Sequence, residues 1–386
     1  MNDIRIGIPI IGGSAWMGGV SYVENLTKAI SYCSKNQKVK LYLIVKNETL
    51  ATFHLHAHFL SLFTGVIFLG SITTEVKTIL NNFIHCKDDE ELYQVINFQF
   101  PFFTTQPNKC FAAWIPDFQH KYLPNLFSEQ EIAFRDRHFS EIAKYSKVVV
   151  LSSKDVEKDF KMFYPNSNCL TRVLHFHSIP NQDWYRINPK EVQKKYNLPD
   201  KFIICCNQFW KHKNHELLFN AISKLKEAGI IINLVCTGYK NDYRFNNYFS
   251  YLESTIQKNN IQDLIHIVGL IPRSDQIQLI RRSQFLVQPS LFEGWSTVVE
   301  DARALGKTIC LSDLNVHYEQ SPRHSVYFQR NNLNDLINKI SFLLKDSEPG
   351  PNLNRENIAR VESLKRIENY GNTFLKIANE AINIYK

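Results

Sequence analysis

Between Thr49 and Thr74 the chain carries no Lys, Arg, Asp or Glu, which is long enough to raise the question of a membrane span. His54, His56 and His58 and a Phe63-Thr64-Gly65 break interrupt it, so the stretch reads as a helix followed by a buried strand, Val66 to Gly70. Other absences narrow the class further. The eight cysteines form no Cys-x-x-Cys pair and several sit in apolar runs, as expected of reduced, buried thiols in a cytosolic protein. MNDIRIGIPI has no basic region before its apolar residues, so no secretory signal is expected. There are no internal repeats, no low-complexity segments and no long charge runs. The first Gly-rich loop is not Gly-x-Gly-x-x-Gly, and no acidic residue ends a second strand at Leu41 to Val45, which disfavours a nicotinamide dehydrogenase.

What remains is a chain of 386 residues with 44% hydrophobic and 21% charged residues, a soluble globular composition with material for two domains. The net charge of +8 favours anionic ligands or an anionic membrane face and does not specify nucleic acid. Strand-like and helix-like segments alternate. In the first half the strands are Ile4–Ile11, Leu41–Val45, Val66–Gly70, Val95–Phe98, Phe111–Ile115, Val148–Leu151 and Arg172–Phe176. In the second they are Phe202–Cys206, Ile232–Thr237, Leu264–Val268, Phe285–Val287, Thr308–Leu311 and Val326–Phe328. Such alternation predicts an α/β fold with parallel sheets covered by helices. Pro180 to Tyr196 lacks an apolar period and reads as a linker, and a final helix is expected from Arg355 to about Ile384.

In open α/β sheets, ligands bind where strands end. The segment Pro289 to Asp313, PSLFEGWSTVVEDARALGKTICLSD, follows one such end. Glu293 lies in the loop, Ser296 or Thr297 opens a helix, and Glu300 follows seven residues after Glu293, about 10 Å away by helical rise. An open helix start between two carboxylates suits a diphosphate flanked by two groups of hydroxyls, although an ordinary strand–loop–helix unit with two surface carboxylates has the same spacing. A basic cluster, Gln208-Phe209-Trp210-Lys211-His212-Lys213, follows the Phe202–Cys206 strand and has the charge a diphosphate site requires, or that of a solvated loop. Gly12 and Gly13 follow the first strand, and Gly238 and Gly269 follow two later ones, all suited to close backbone approach by a ligand.

The Pro-Ser…Glu293-Gly294…Glu300 frame, with Gln208, Lys213 and the first Gly-rich loop, resembles the retaining nucleotide-sugar glycosyltransferases of family 4. Asp301 and Ser296 depart from the usual Ala and Gly of that frame. The resemblance implies the GT-B architecture, two Rossmann-like domains facing across a cleft. An acceptor-binding domain would span 1–180 and a donor domain 181–365, with a C-terminal helix at 366–386 returning to the first. It implies transfer of a hexose from a nucleotide-diphosphate sugar to a glycan, lipid-linked or other hydroxyl acceptor, surface polysaccharide synthesis in a bacterial cytoplasm, and peripheral contact with the inner membrane face. No metal is expected, in keeping with the lack of an Asp-x-Asp motif.

Carried over residue by residue, the resemblance assigns Glu293 to the hexose, Glu300 to the ribose and Lys213 to the diphosphate, with Gln208 where an Arg is usual. Gly12, Gly13, Gly269, Ile271, Gly294, Trp295, Ser296 and Thr297 join the donor site, with Leu270 and Arg273 as further contacts. Trp114-Ile115-Pro116-Asp117-Phe118-Gln119-His120 matches a segment that often carries a His-acid pair. Pro116 occupies the His position, so Asp117 is carried over and His120 stands as a substitute; a turn cap and a surface residue would look the same. The alternatives on this fold are a nucleotide-sugar 2-epimerase, a glycoside phosphorylase, or a non-catalytic nucleotide-sugar-binding homologue.

Overall fold

The computed structural model describes residues 3–14, 16–34, 38–106 and 108–386; Ala15 of the Gly-rich loop lies outside them. The chain divides into two compact units, one of residues 1–118, 130–179 and 364–386, the other of residues 119–129 and 180–363. Both are parallel-sheet units.

The first unit holds strands β1 (Ile4–Pro9), β2 (Val39–Lys46), β3 (Gly65–Leu69), β4 (Ile84–Cys86), β5 (Phe98–Gln99), β6 (Ala113–Ile115), β7 (Val148–Leu151) and β8 (Leu170–Val173). Five form a sheet in the order β4-β3-β2-β1-β5 and three form a second, β6-β7-β8. A parallel bridge from Gln99 to Phe111 links them. Residues 364–386, which take in the last two-thirds of the helix Leu353–Tyr385, belong to this unit. Gly371 makes the docking possible, since a Cβ there would stand 2.4 Å from Ala29 O. Arg172 Nε also donates to Glu380 Oε2 at 2.8 Å.

The second unit is built on β9 (Ile203–Cys206), β10 (Leu234–Thr237), β11 (Ile265–Gly269), β12 (Leu286–Gln288), β13 (Ile309–Ser312) and β14 (Ser325–Phe328). Their order is β11-β10-β9-β12-β13-β14, all parallel. Strand order reverses between β9 and β12, so the loops leaving their carboxyl ends diverge and open a crevice. Near-continuous apolar strands, such as Ile203-Ile204-Cys205-Cys206, are what burial on both faces requires. One face packs on Leu218, Ile222, Leu252 and Leu336, the other on Ile277, Ile280, Val299 and Leu305. Each fully buried aliphatic side chain contributes about 1.5–3 kcal/mol, so these faces hold the site rigidly.

Several expectations are corrected. Val95 ends a helix, Asp89–Val95, whose start is capped by Asp88 accepting from Glu90 N and Glu91 N; the cap outweighs the β-propensity of Val95-Ile96. The strand β4 was not anticipated, being only three residues long. The stretch in the fifties is 3₁₀-helical, Asn47–Leu62, kinked at Phe59, and no described helix is long and apolar enough to cross a membrane. The linker is folded into the second unit: Asp183–Arg186 and Pro189–Lys195 are helices, with Trp184 and Val192 in the core. Asn188 caps the latter and Pro189 opens it, a start signal that the poor apolar period concealed. Residues 119–129, inside the 1–180 span by sequence, group with the second unit, where Tyr122 packs on Phe292 and Gln119 accepts from Arg244.

Candidate functional site

The site in the second unit begins where β9 ends. After Cys206 the chain turns through Lys211–Lys213, a single 3₁₀ turn, and Asn214 takes left-handed dihedrals, φ 58° and ψ 40°, before the helix His215–Glu227. Asn tolerates this conformation. Gly238, at the end of β10, gives the turn room: a Cβ there would lie 2.1 Å from Asn207 O and 2.8 Å from Gln208 N. Gly238 also has φ +140°, so both space and conformation demand glycine.

The loop after β12 is tied to this turn by its backbone, Leu291 N donating to His212 O at 2.8 Å. The tie brings Lys213 Nζ to 2.6 Å from Glu293 Oε1. Side-chain exposure is 16% for Lys213 and 7% for Glu293. Burial alone would raise the Glu293 carboxyl, but the Lys213 charge, His317 and hydrogen bonds from Lys213 and Ser290 hold it below its ordinary value. It is therefore an ionised carboxylate at neutral pH.

Gln288, the last residue of β12, organises the rest. Its Nε2 donates to Glu293 Oε1 at 2.9 Å, with longer contacts to Ser290 Oγ and Ser296 Oγ, while its Oε1 accepts from Asn207 Nδ2 at 2.9 Å. The two strand ends on either side of the reversal are thereby joined through side chains. Ser296 takes the cap position of the helix Thr297–Ala304 in extended conformation, yet its side chain makes no capping bond. The helix start consequently keeps N–H groups available to an anion.

Glu300 lies in the first turn of that helix and is 2% exposed. Gln320 Nε2 donates to its Oε1 at 2.9 Å, and Arg303 Nη1 donates at 3.3 Å. Gln320 also bonds the backbone of Ser296 in both directions, so one amide fixes both the helix start and the second carboxylate. Arg273 is engaged in a two-pronged pair with Asp301 and stacks over Trp184. It serves the fold of this helix. Gly269 ends β11 with φ +80° and its carbonyl accepts from Gly238 N, and Ile271 packs partly buried on the core.

Of the residues singled out by sequence, Lys213, Glu293, Ser296 and Glu300 are tied together by hydrogen bonds through Gln288 and Gln320; Gly294, Trp295 and Thr297 share the loop and helix start between them, and Gln208, Gly269 and Ile271 lie at or just after the ends of β9 and β11. Gly12, Gly13 and Asp117 belong to the first unit. There Gly12, φ +83°, packs backbone to backbone on Gly19, and Trp16 closes the loop by bonding Gly13 in both directions. Asp117 follows β6, with Arg135 Nη1 3.9 Å from its carboxylate. His120 belongs to the second unit and is 1% exposed, its ring edge-on to Phe127. A surface position for it is excluded.

Sequence reasoning missed Gln288, Gln320, His317 and Arg244. Arg244 is buried against Asp242 and donates to His212 Nδ1 at 3.2 Å, while Asp242 also accepts from Lys211 N at 3.0 Å. Burial and the neighbouring Lys213 and Arg244 charges push His212 well below the ordinary histidine range, so it accepts that bond as a neutral ring. A polar Gln closing an apolar strand was the one available signal for Gln288. The others lie outside the motifs, Arg244 in a loop 31 residues after Lys213, and His317 and Gln320 in a helix 17 and 20 residues after Glu300.

Residues 188–360 match the model of the family Glycosyl transferases group 1, a segment that includes Lys213, Glu293 and Glu300. A curated relative is similar: the N,N'-diacetylbacillosaminyl-diphospho-undecaprenol alpha-1,3-N-acetylgalactosaminyltransferase of Campylobacter jejuni. It is 27% identical over 194 residues, 49% of this chain and 47% of the relative, so the match spans about half of that protein. Among solved structures, Anabaena HepE in complex with UDP and glucose superposes with TM-score 0.68 at 12% identity, covering 98% of this chain and 100% of that one. Sucrose-phosphate synthase from Thermosynechococcus elongatus gives 0.62 at 15% identity, covering 99% and 98%. Residues 188–360 are thus similar to that family, and the chain has the GT-B fold, two Rossmann-like units of parallel sheet.

Proposed function

We propose that the chain is a retaining, metal-independent glycosyltransferase that moves a hexose from a nucleotide-diphosphate sugar to a lipid-linked or other glycan hydroxyl. The observation that carries this reading is the Lys213–Glu293 pair at the strand reversal, beside a helix start without a side-chain cap. Departure of a nucleoside diphosphate builds negative charge on its oxygens. A lysine ammonium and free helix N–H groups stabilise that charge more in the transition state than in the ground state, which is what accelerates the step.

Glu293, ionised, would accept from hexose hydroxyls, and Glu300 would accept from the ribose diol. With the leaving group stabilised on one face, the acceptor hydroxyl attacks on that same face and passes its proton to a donor phosphate oxygen. Asp117 would act on the acceptor side, with His120 as a buried positioning residue. A lipid-linked acceptor is supported by the diphospho-undecaprenol in the name of the Campylobacter relative. Net charge of +8 suits work at an anionic inner membrane face in a bacterial surface-polysaccharide route.

The test is release of nucleoside diphosphate from a panel of nucleotide sugars, with and without acceptor and with EDTA present. Acceptor-dependent release that survives EDTA and yields the donor's own anomeric configuration supports the reading. Interconversion of donors without acceptor would replace it with a 2-epimerase, phosphate-dependent cleavage with a phosphorylase, and tight binding without turnover with a non-catalytic homologue.

A further inference from the structure

Of the five tryptophans, Trp16 alone is exposed, with 40% of its surface open. It ends the loop after β1, just before the helix Met17–Cys33, and its neighbours fix its place. Its backbone bonds Gly13 in both directions, and its carbonyl also accepts from Gly19 N at 3.2 Å. Gly18 and Gly19 make room for the indole: a Cβ on the first would stand 3.1 Å from Trp16 Nε1, and one on the second 3.0 Å from Cε3. Trp16 is also the outer member of a column of near-parallel rings. Trp16 and Trp114 are inclined by 14° with centroids 6.4 Å apart, and Trp114 and Tyr22 by 13° at 4.5 Å. Tyr22 is buried and meets Phe176 edge-on. Trp114 Nε1 donates to the buried Ser152 Oγ at 3.1 Å, so the inner rings are held. A spacing of 6.4 Å is that of a laterally offset pair, which leaves part of the Trp16 face uncovered. Its Nε1 has no hydrogen-bond partner among the described residues.

We propose that Trp16 is a stacking platform for a pyranose ring of the acceptor glycan, its indole face against the C–H face of the sugar and its N–H toward a hydroxyl. Calling that sugar the acceptor rests on the transfer reading above. The chemistry matches on both counts. C–H groups on one side of a pyranose pack on an aromatic face, and the hydroxyls around its edge take donors and acceptors. Asp117 offers acceptor oxygens three residues after Trp114, past the end of β6, with its side chain 26% exposed. Trp16 lies past the end of β1, and β1, β5 and the bridge to Phe111 run parallel, so both residues follow carboxyl ends, where open sheets bind ligands. A prenyl chain would leave the indole N–H without a partner, and an anionic nucleotide would meet the Asp117 carboxylate. An indole already held by its neighbours has little freedom left to lose on binding.

Fluorine NMR of the full chain labelled with fluorotryptophan reads the platform directly, the Trp16 signal being the one lost in Trp16→Phe. The methyl glycosides of glucose, galactose, N-acetylglucosamine and N-acetylgalactosamine are added in turn, then uridine monophosphate and farnesol. At least one glycoside should move the Trp16 signal. A signal moved by uridine monophosphate or farnesol and by no glycoside overturns the proposal in favour of a nucleobase or a prenyl chain, and a signal that none of them moves overturns it outright. Saturation transfer from protein to the glycoside that moves the signal then gives its Kd, which should rise about tenfold in Trp16→Ala and less in Trp16→Phe. An unchanged Kd in Trp16→Ala, in protein with the parent's circular dichroism spectrum, also overturns the platform. Release of nucleoside diphosphate from nucleotide sugars is scored separately. Release from a protein whose Trp16 signal stays still keeps the transfer reading and removes the platform; a moved signal without release keeps a sugar site at Trp16 and removes the transfer reading.

Discussion

Two buried ion pairs in the second unit use the same chemistry for opposite ends. Arg281 and Glu356 meet before β12 begins, at the amino end of the sheet, with Nε–Oε1 2.7 Å and Nη2–Oε2 3.0 Å. The two Nη1 donors are taken up by Ile187 O at 3.0 Å and Gln278 Oε1 at 2.7 Å, so four of the five guanidinium donors are engaged. Lys213 and Glu293 meet after β12, at the carboxyl end. Among the described residues the Lys213 ammonium has Glu293 as its one protein partner, leaving N–H groups to spare. A planar fork with four of its five donors engaged and 2% of its side chain exposed has little to offer a ligand and locks the fold. A half-satisfied point charge at a strand reversal keeps donors free for the anionic ligand proposed for this site.

The comparison breaks first under charge removal. Glu293→Gln should lower kcat by about 10²–10³-fold with the circular dichroism spectrum retained, because the Lys213 ammonium it leaves is 16% exposed and can reach solvent; Lys213→Ala should lower kcat by as much, with some loss of stability because Glu293 is only 7% exposed. Arg281→Ala should do the reverse. It strands Glu356 in the core and costs about 3–5 kcal/mol in stability, seen as a lowered urea midpoint, while turnover per folded molecule stays near normal. Activity loss in Arg281→Ala without a stability change would erase the distinction. A sharper cut is Gln288→Met, which keeps volume and removes the amide bridging Asn207 and Glu293. Each open buried group costs about 1–3 kcal/mol, and kcat should fall about tenfold through a less well held Glu293.

How far the sequence carried this picture follows from where information is local. Strand ends in the second unit were legible because Ile203–Cys206 and Ile309–Ser312 are buried on both faces and read as apolar runs. Lys213, Glu293 and Glu300 were legible because each sits at a fixed offset from such an end. Gln320 and His317 were not: they reach Ser296, Glu300 and Ser312 only once β13 and its loop are folded. Trp184 was hidden in a segment whose helices are four and seven residues long, too short to show a period. The grouping of residues 119–129 with the second unit depends on Phe292 and Arg244, more than 100 residues away.

The smallest expected effect separates a structural histidine from a functional one. His215 has both ring nitrogens buried without partners and stacks on Phe209 with ring centroids 4.4 Å apart. Burial, aided by the Lys213 charge, lowers it to about 3, so the folded protein leaves it neutral through the range in which an unfolded chain would protonate it. The unfolded state then binds the extra proton, and stability falls as pH drops below about 6.5. His212 and His317, also lowered, act in the same direction. His215→Phe should be neutral or stabilising by about 1 kcal/mol at pH 7, since it replaces open polar atoms with ring carbon. Between pH 6.5 and 4 its stability should decline less steeply, by about one proton's worth, the gap to the parent reaching on the order of 3 kcal/mol at pH 4. Urea midpoints measured across that range decide it. Parallel curves would mean that His215 is already solvated, and a lost kcat in His215→Phe would move this ring from the scaffold into the Lys213 site.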